Sequence, residues 1–154
     1  MSVVLVTGMS GTGKSAALGE LERRGHHVVD TDYGDWIDES RPERLWREDR
    51  IAEMLDEHAE GTLFVAGCVA NQGRFYPRFD AVVLLSAPLE VILERVAERD
   101  SNDFGKNEEE RARIVRDVET VEPLLRAGAT AEIDTRAPLS EVVTELERIA
   151  SAAG

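Results

Sequence analysis

The chain has 154 residues, 42% of them hydrophobic, and its 31 acidic against 18 basic side chains give a formal net charge of −13. That length suits one domain with its own core and falls short of two ordinary ones. So acidic a surface disfavours polynucleotides and anionic membranes as partners; the single Cys68 excludes an internal disulfide. With no run of 18 apolar residues and no signal-peptide order at the N-terminus, the expected location is the cytoplasm.

The first apolar run, Val3 to Thr7, reads as a buried strand. It leads into Gly8-Met9-Ser10-Gly11-Thr12-Gly13-Lys14-Ser15, the pattern G-x-x-x-x-G-K-[ST] in the strand–loop–helix context that gives it meaning. With this composition, the pattern arises by accident on the order of once in a thousand such sequences. Gly8, Gly11 and Gly13 let the backbone turn its N–H groups inward around a polyphosphate, with Thr12 in the same loop. Lys14 reaches the β/γ oxygens, and the Ser15 hydroxyl reaches Mg²⁺. The helix that follows adds its positive end. A dinucleotide-binding turn fits worse, because G-x-G-x-x-G is required and this loop reads G-x-x-G-x-G. The implied ligands are therefore a nucleoside triphosphate, ATP in the simplest case, and Mg²⁺.

A helical segment from Lys14 to Arg24, with Leu18 and Leu21 inward, precedes a second strand at His27 to Val29. Asp30-Thr31-Asp32 leaves that strand's end. Two carboxylates one residue apart can divide the tasks of phosphoryl transfer, Asp30 serving the magnesium shell and Asp32 orienting an acceptor hydroxyl. The competing reading is a helix cap or an Asx turn, with Asp35 the better candidate for the cap. Helical spacing is expected from Pro42 to His58. The third strand, Leu63 to Ala66, ends in Ala66-Gly67-Cys68, where Gly67 permits close backbone approach to an acceptor. Arg74 could clamp an anionic or hydroxylated acceptor, or pair with a surface acid. Cys68, Trp36 and Trp46 read as packing residues, and His26, His27 and His58 lack ligand partners at suitable spacing.

A fourth strand, Ala81 to Leu85, is followed by a helix at Leu89 to Glu98 and an irregular lid at about residues 100–107. Arg95, Arg99, Lys106, Arg111, Arg113 and Arg116 surround that lid, an unusual density of cations in so acidic a chain. Arg95 and Arg99 lie one helical turn apart and are the better candidates to meet migrating phosphate; the other arginines suit pairing with neighbouring acids. A helix from Glu108 to Ala127, a strand at Ala131 to Ile133 and a helix from Leu139 to Ala150 complete the chain. The alternation predicts an α/β protein in which a five-stranded parallel sheet lies between two helical layers, with ligands at the carboxyl ends of the strands.

These residues resemble the small P-loop kinases of the adenylate, shikimate and gluconate kinase group. Gly8 to Ser15 matches that group's phosphate loop. Asp30-Thr31-Asp32 is similar to the D-S-D of shikimate kinases, where the first Asp serves magnesium and the second the acceptor hydroxyls. Pro88 to Arg99 resembles the lid-entry helix of adenylate kinases, which implies that Arg95 packs on the base and Arg99 touches phosphates. Asp134-Thr135-Arg136-Ala137-Pro138 resembles the loop that walls the adenine, which brings Arg136 to the nucleotide. The resemblance implies a three-layer αβα P-loop NTPase fold over residues 1–154 with a short lid. It departs at Ala66-Gly67-Cys68, where shikimate kinases carry a glycine triplet.

The expected activity is ATP- and Mg²⁺-dependent transfer of a γ-phosphoryl group to a hydroxyl or phosphate of a small metabolite. Lys14, Asp32 and Arg99 would be the catalytic groups and Asp32, Gly67 and Arg74 would face the acceptor, in a monomer or homodimer. A nucleotide-binding regulatory ATPase with no metabolite acceptor is the alternative left open.

Overall fold

The structure is a computed structural model and describes residues 2–98 and 107–153. Five parallel strands form one sheet in the order β2-β3-β1-β4-β5, with β1 at Ser2–Thr7, β2 at His27–Asp30, β3 at Thr62–Ala66, β4 at Ala81–Ser86 and β5 at Ala131–Asp134. β1 is central, with Leu5 in register with Val65 of β3 and Val82 of β4. All of its residues are buried, as a strand covered on both faces requires.

Period-two alternation sorts the strand side chains to opposite faces. Val4, Val6, Phe64, Val83 and Leu85 pack under α1 (Lys14–Arg23) and α6 (Leu139–Ala153). The apolar stripe of α6, Val142, Val143, Leu146 and Ala150, has the spacing of one helical face. Val3, Leu5, Leu63, Val65 and Val82 face the other way, onto Trp46, Phe75, Phe79 and α2 (Glu48–Glu57). Fully burying side chains of this size contributes about 1.5–3 kcal/mol each. The two layers therefore hold the strand ends, and every loop that leaves them, in fixed relation.

Beyond β4, α3 (Leu89–Glu98) and α4 (Glu108–Thr120) pack through Ile92, Val96 and Ile114. Asn107 caps α4, its Oδ1 accepting from the Glu110 amide at 2.8 Å.

Two expected helices differ from those observed. The segment expected to be helical from Pro42 is helical only from Glu48. Before it, the chain makes an excursion with an antiparallel bridge between Ile37 and Trp46. Burial of Trp46, at 1% exposure, overrides local spacing there. The helix expected over Glu108 to Ala127 is two helices, α4 and α5 (Glu122–Gly128), meeting at Val121. Pro123 lies in the first turn of α5; it has no N–H to donate and its ring collides with the turn before it, so one continuous helix cannot form. Of the expected lid, only Asn107 is among the described residues; Arg99 and Lys106 lie outside them.

Candidate functional site

The loop between β1 and α1 has the backbone that its glycines permit: Gly8, Gly11 and Gly13 all have positive φ. A Cβ on Gly8 would lie 2.5 Å from the Leu85 carbonyl oxygen, and one on Gly11 2.9 Å from Val96 Cγ2. The loop is thus pressed against β4 on one side and α3 on the other. Thr12 is buried and tightens the turn, its hydroxyl donating to the Met9 carbonyl at 2.7 Å.

Lys14 bends back over this loop. Its ammonium donates to the Gly8 carbonyl at 2.6 Å and to that of Met9 at 3.1 Å. Burial pulls its pKa below the ordinary lysine value, opposed by Cys68, Asp32 and Asp30, all near enough to favour the charged form. Cys68 feels the reverse, as burial pushes the thiol up while Lys14 and a hydrogen bond with Thr7 pull it down. Cys68 is half-buried and packs against the Met9, Leu84 and Leu125 cluster, close to its expected packing role.

Ser15 opens α1 with its hydroxyl donating to Asp30 Oδ2 at 2.6 Å. Asp30 also accepts from the Asp32 amide through Oδ1 at 3.1 Å, so the Asx turn weighed above and the hydroxyl contact coexist on one carboxylate. The structure thereby brings together Lys14, Ser15, Asp30 and Asp32 at the carboxyl end of the sheet. A hydroxyl beside a carboxylate is an all-oxygen donor set of the kind Mg²⁺ takes while keeping several waters.

The residues that follow β2 and β3 are held by contacts that the linear sequence does not display. Thr31 is buried between two carboxylates; its hydroxyl donates to the Ala66 carbonyl at 2.8 Å and accepts from Trp46 Nε1 at 2.9 Å. Gly67 lies against this pair, where a Cβ would be 2.6 Å from Thr31 Oγ1 and 2.9 Å from Trp46 Cζ2. Asn71 clamps Trp46, accepting from its amide at 2.8 Å and donating to its carbonyl at 3.1 Å. Gln72 is buried and donates to Thr7 Oγ1 at 3.0 Å, tying the segment after β3 to the strand that feeds the phosphate loop.

Arg44 went unrecognised in the sequence. Its guanidinium donates to Asp32 Oδ1 at 2.8 Å, its carbonyl accepts from Ala70 N at 3.0 Å, and its charge is felt by Lys14 and Cys68. The segment that carries it reads as helical by spacing, and the excursion alone turns it toward Asp32.

Arg74 stands apart. It is exposed, reaches Glu48 at 3.5 Å, and lines an outer cleft of about 510 Å³ with Asp38, Arg41 and Arg47, whose lining includes no phosphate-loop residue. A second cleft, of about 270 Å³, adjoins the loop and is lined by Thr12, Gly13, Ala16, Arg95, Thr135, Ala137, Leu139 and Val142. Arg95 is fixed there by Thr135, donating to its hydroxyl at 2.8 Å and its carbonyl at 2.6 Å. Arg136 turns away to Asp134, with NH2 to Oδ2 at 2.7 Å, and does not line this cleft.

A family model described as an AAA domain matches residues 4–116. Two curated relatives, each called a nucleotide-binding protein, come from Thermosipho africanus and Thermosipho melanesiensis; they are 30% and 31% identical over 96 residues, 62% of this chain. The chain spans about a third of those relatives' length, since the match covers 34% of each. Among solved structures, shikimate kinase from Acinetobacter baumannii superposes with a TM-score of 0.71 at 20% identity, over 97% of this chain and 92% of that one. A gluconokinase from Sinorhizobium meliloti 1021 superposes with a TM-score of 0.62 at 23% identity, over 98% and 94%. At such identities the likeness is one of fold.

Proposed function

Because this chain belongs to the AAA domain family and has the fold of the small P-loop kinases, we propose that it is an ATP- and Mg²⁺-dependent kinase acting on a small metabolite. One observation carries the reading. Lys14, the Ser15–Asp30 hydrogen bond and Asp32 meet at one strand-end cluster, which gives one place for phosphate, metal and acceptor.

The residues fit the ligands. The first-turn amides of α1 have no partners within the helix and carry its positive dipole end, so they favour a phosphate at the loop. Lys14 is held by carbonyls alone at its tip, and a polyphosphate oxygen is a stronger partner for an ammonium than either. Ser15 and Asp30 would hold Mg²⁺, which when bound neutralises charge on the β- and γ-phosphates.

Asp32 then orients the acceptor hydroxyl and takes its proton as the new O–P bond forms and the bond to the β-phosphate breaks, releasing ADP. Arg44 holds Asp32 in place. Gly67 lets Thr31 and Trp46 pack against the backbone beside Asp32, and Arg74, paired with Glu48 in the outer cleft, is given no part in the transfer. Arg95 packs on the base, and Arg99 meets the migrating phosphoryl group. Positioning of this kind removes several kcal/mol from the barrier.

The test is release of ADP by the purified chain with MgATP, with and without a fractionated pool of small metabolites. A kinase gives ADP release that depends on one fraction and yields a phosphorylated product of that fraction. Equal release with every fraction and with none refutes the proposal.

A further inference from the structure

The two oxygen donors proposed for Mg²⁺ follow strands that are not neighbours. Ser15 follows β1 through the phosphate loop, Asp30 ends β2, and the sheet order β2-β3-β1 places β3 between them. Whatever leaves the end of β3 therefore lies between the phosphate loop and the Asp30-Thr31-Asp32 turn. Asn71 and Gln72 are on that segment, and the phosphoryl transfer assigns them no step.

The two residues bond in different directions. Gln72 is 2% exposed; its Oε1 accepts from the Val69 amide at 3.0 Å, while Nε2 donates to Thr7 Oγ1 and to Tyr76 Oη, both at 3.0 Å. Thr7 directly precedes Gly8, whose carbonyl receives the Lys14 ammonium. Asn71 holds Trp46 at both of its backbone groups, and the Trp46 indole donates to Thr31 Oγ1. Thr31 stands inside the turn in which Asp30 Oδ1 accepts from the Asp32 amide. That bond sets the rotation of the Asp30 carboxylate, whose Oδ2 meets the Ser15 hydroxyl.

The phosphate loop has its own supports. Thr12 closes it on Met9, Lys14 bridges the Gly8 and Met9 carbonyls, and its glycines press against β4 and α3. Loss of the Asn71 or Gln72 bonds thus leaves the cradle in place and frees the carboxylate to shift relative to it. Mg²⁺ demands near-ideal octahedral geometry, so a metal shared by Ser15 and Asp30 feels such a shift, and a metal-free triphosphate in the loop does not.

We infer that Asn71 and Gln72 are positioning residues, a brace that sets the separation of the phosphate loop from the Asp30-Thr31-Asp32 turn and so the gain in nucleotide affinity that Mg²⁺ provides. The inference rests on the proposal that Gly8 to Ser15 binds a nucleoside triphosphate with Mg²⁺ on Ser15 and Asp30.

Calorimetry of the full chain with the β,γ-imido analogue of ATP, once with Mg²⁺ and once with chelator, gives that gain as a ratio of dissociation constants. Asn71→Ala and Gln72→Met, measured well below their melting temperatures, should each cut the ratio by roughly three- to thirtyfold and leave the chelator value unchanged. Since either change breaks the same brace, the double variant should lose little more than the more damaging single one. A role confined to packing lowers Tm and spares the ratio, so a ratio within about twofold of the wild-type value in either variant overturns the inference. An equal loss of affinity with chelator, which would assign the pair to the loop itself, overturns it too, as do losses that add in the double variant. Should Gln72→Met fail to fold, Asn71→Ala, at a half-buried position, carries the test alone. Absence of binding by the unaltered chain, or binding with no gain from Mg²⁺, removes the underlying proposal instead.

Discussion

Gly67→Ala puts the packing of Thr31 and Trp46 against the end of β3 under direct stress. The new Cβ would lie 2.6 Å from Thr31 Oγ1, 2.9 Å from Trp46 Cζ2 and 3.2 Å from Trp46 Nε1. Neither neighbour yields easily. Thr31 is buried and its hydroxyl is held by Ala66 and Trp46; Trp46 is 1% exposed and clamped by Asn71. Overpacking of this kind costs about 1–3 kcal/mol, which for a chain of this length lowers Tm by about 2–4 °C per kcal/mol, or roughly 4–8 °C at the middle of the range. Gly73→Ala is the control, because its Cβ meets nothing within 4 Å; its Tm should stay level or rise slightly. Thermal unfolding followed by circular dichroism compares the two. An unchanged Tm for Gly67→Ala, or an equal fall for Gly73→Ala, would refute the packing argument. Because Thr31 lies between Asp30 and Asp32, the same substitution should also weaken Mg²⁺-dependent nucleotide binding.

Lys14→Met should abolish nucleotide binding without lowering Tm, because the lysine's charge is held at a desolvation cost and an apolar chain of similar length avoids it; thermal scans and titration together check this, and a clear fall in Tm would contradict it. Ser15→Ala and Asp30→Asn should each reduce the gain in nucleotide affinity caused by Mg²⁺ by roughly tenfold, read as dissociation constants with Mg²⁺ and with chelator; an undiminished gain would remove both residues from the metal site. Glu147 accepts from His26 at 2.8 Å and from Arg24, and these bonds, His26 foremost, hold its carboxyl below the ordinary carboxylate value. A carboxyl with a lowered folded pKa stabilises above its unfolded value of about 4.3 and loses that contribution as pH falls through its folded value. Glu147→Gln should therefore lower Tm at neutral pH and flatten its decline in acid, and parallel Tm–pH curves for the two chains would contradict this.

The layers of the fold were legible because each strand is an apolar run too short for a helix and every interval but the one between β3 and β4 carries helical spacing. Val3 to Thr7 and Ala81 to Leu85 lie within the observed strands β1 and β4. The phosphate loop was legible for a different reason: its glycines answer to backbone geometry, which is local. What was hidden is set by distant contacts. Trp46 draws residues 42–47 out of helical register by reaching Thr31, and this turns Arg44 toward Asp32. Gln72 gives no sign in the sequence that its amide is destined for Thr7, 65 positions away. Pro123 was visible and decisive, and the apolar spacing on either side of it concealed the break.

Binding of a nucleoside triphosphate by the loop after β1 is the premise of the proposed phosphoryl transfer. Isothermal titration of the chain with the Mg²⁺ complex of a non-hydrolysable ATP analogue, alongside Lys14→Met, tests this directly. Saturable one-site binding that the substitution removes is the predicted result. No heat of binding at millimolar nucleotide, or equal binding by both chains, would contradict it.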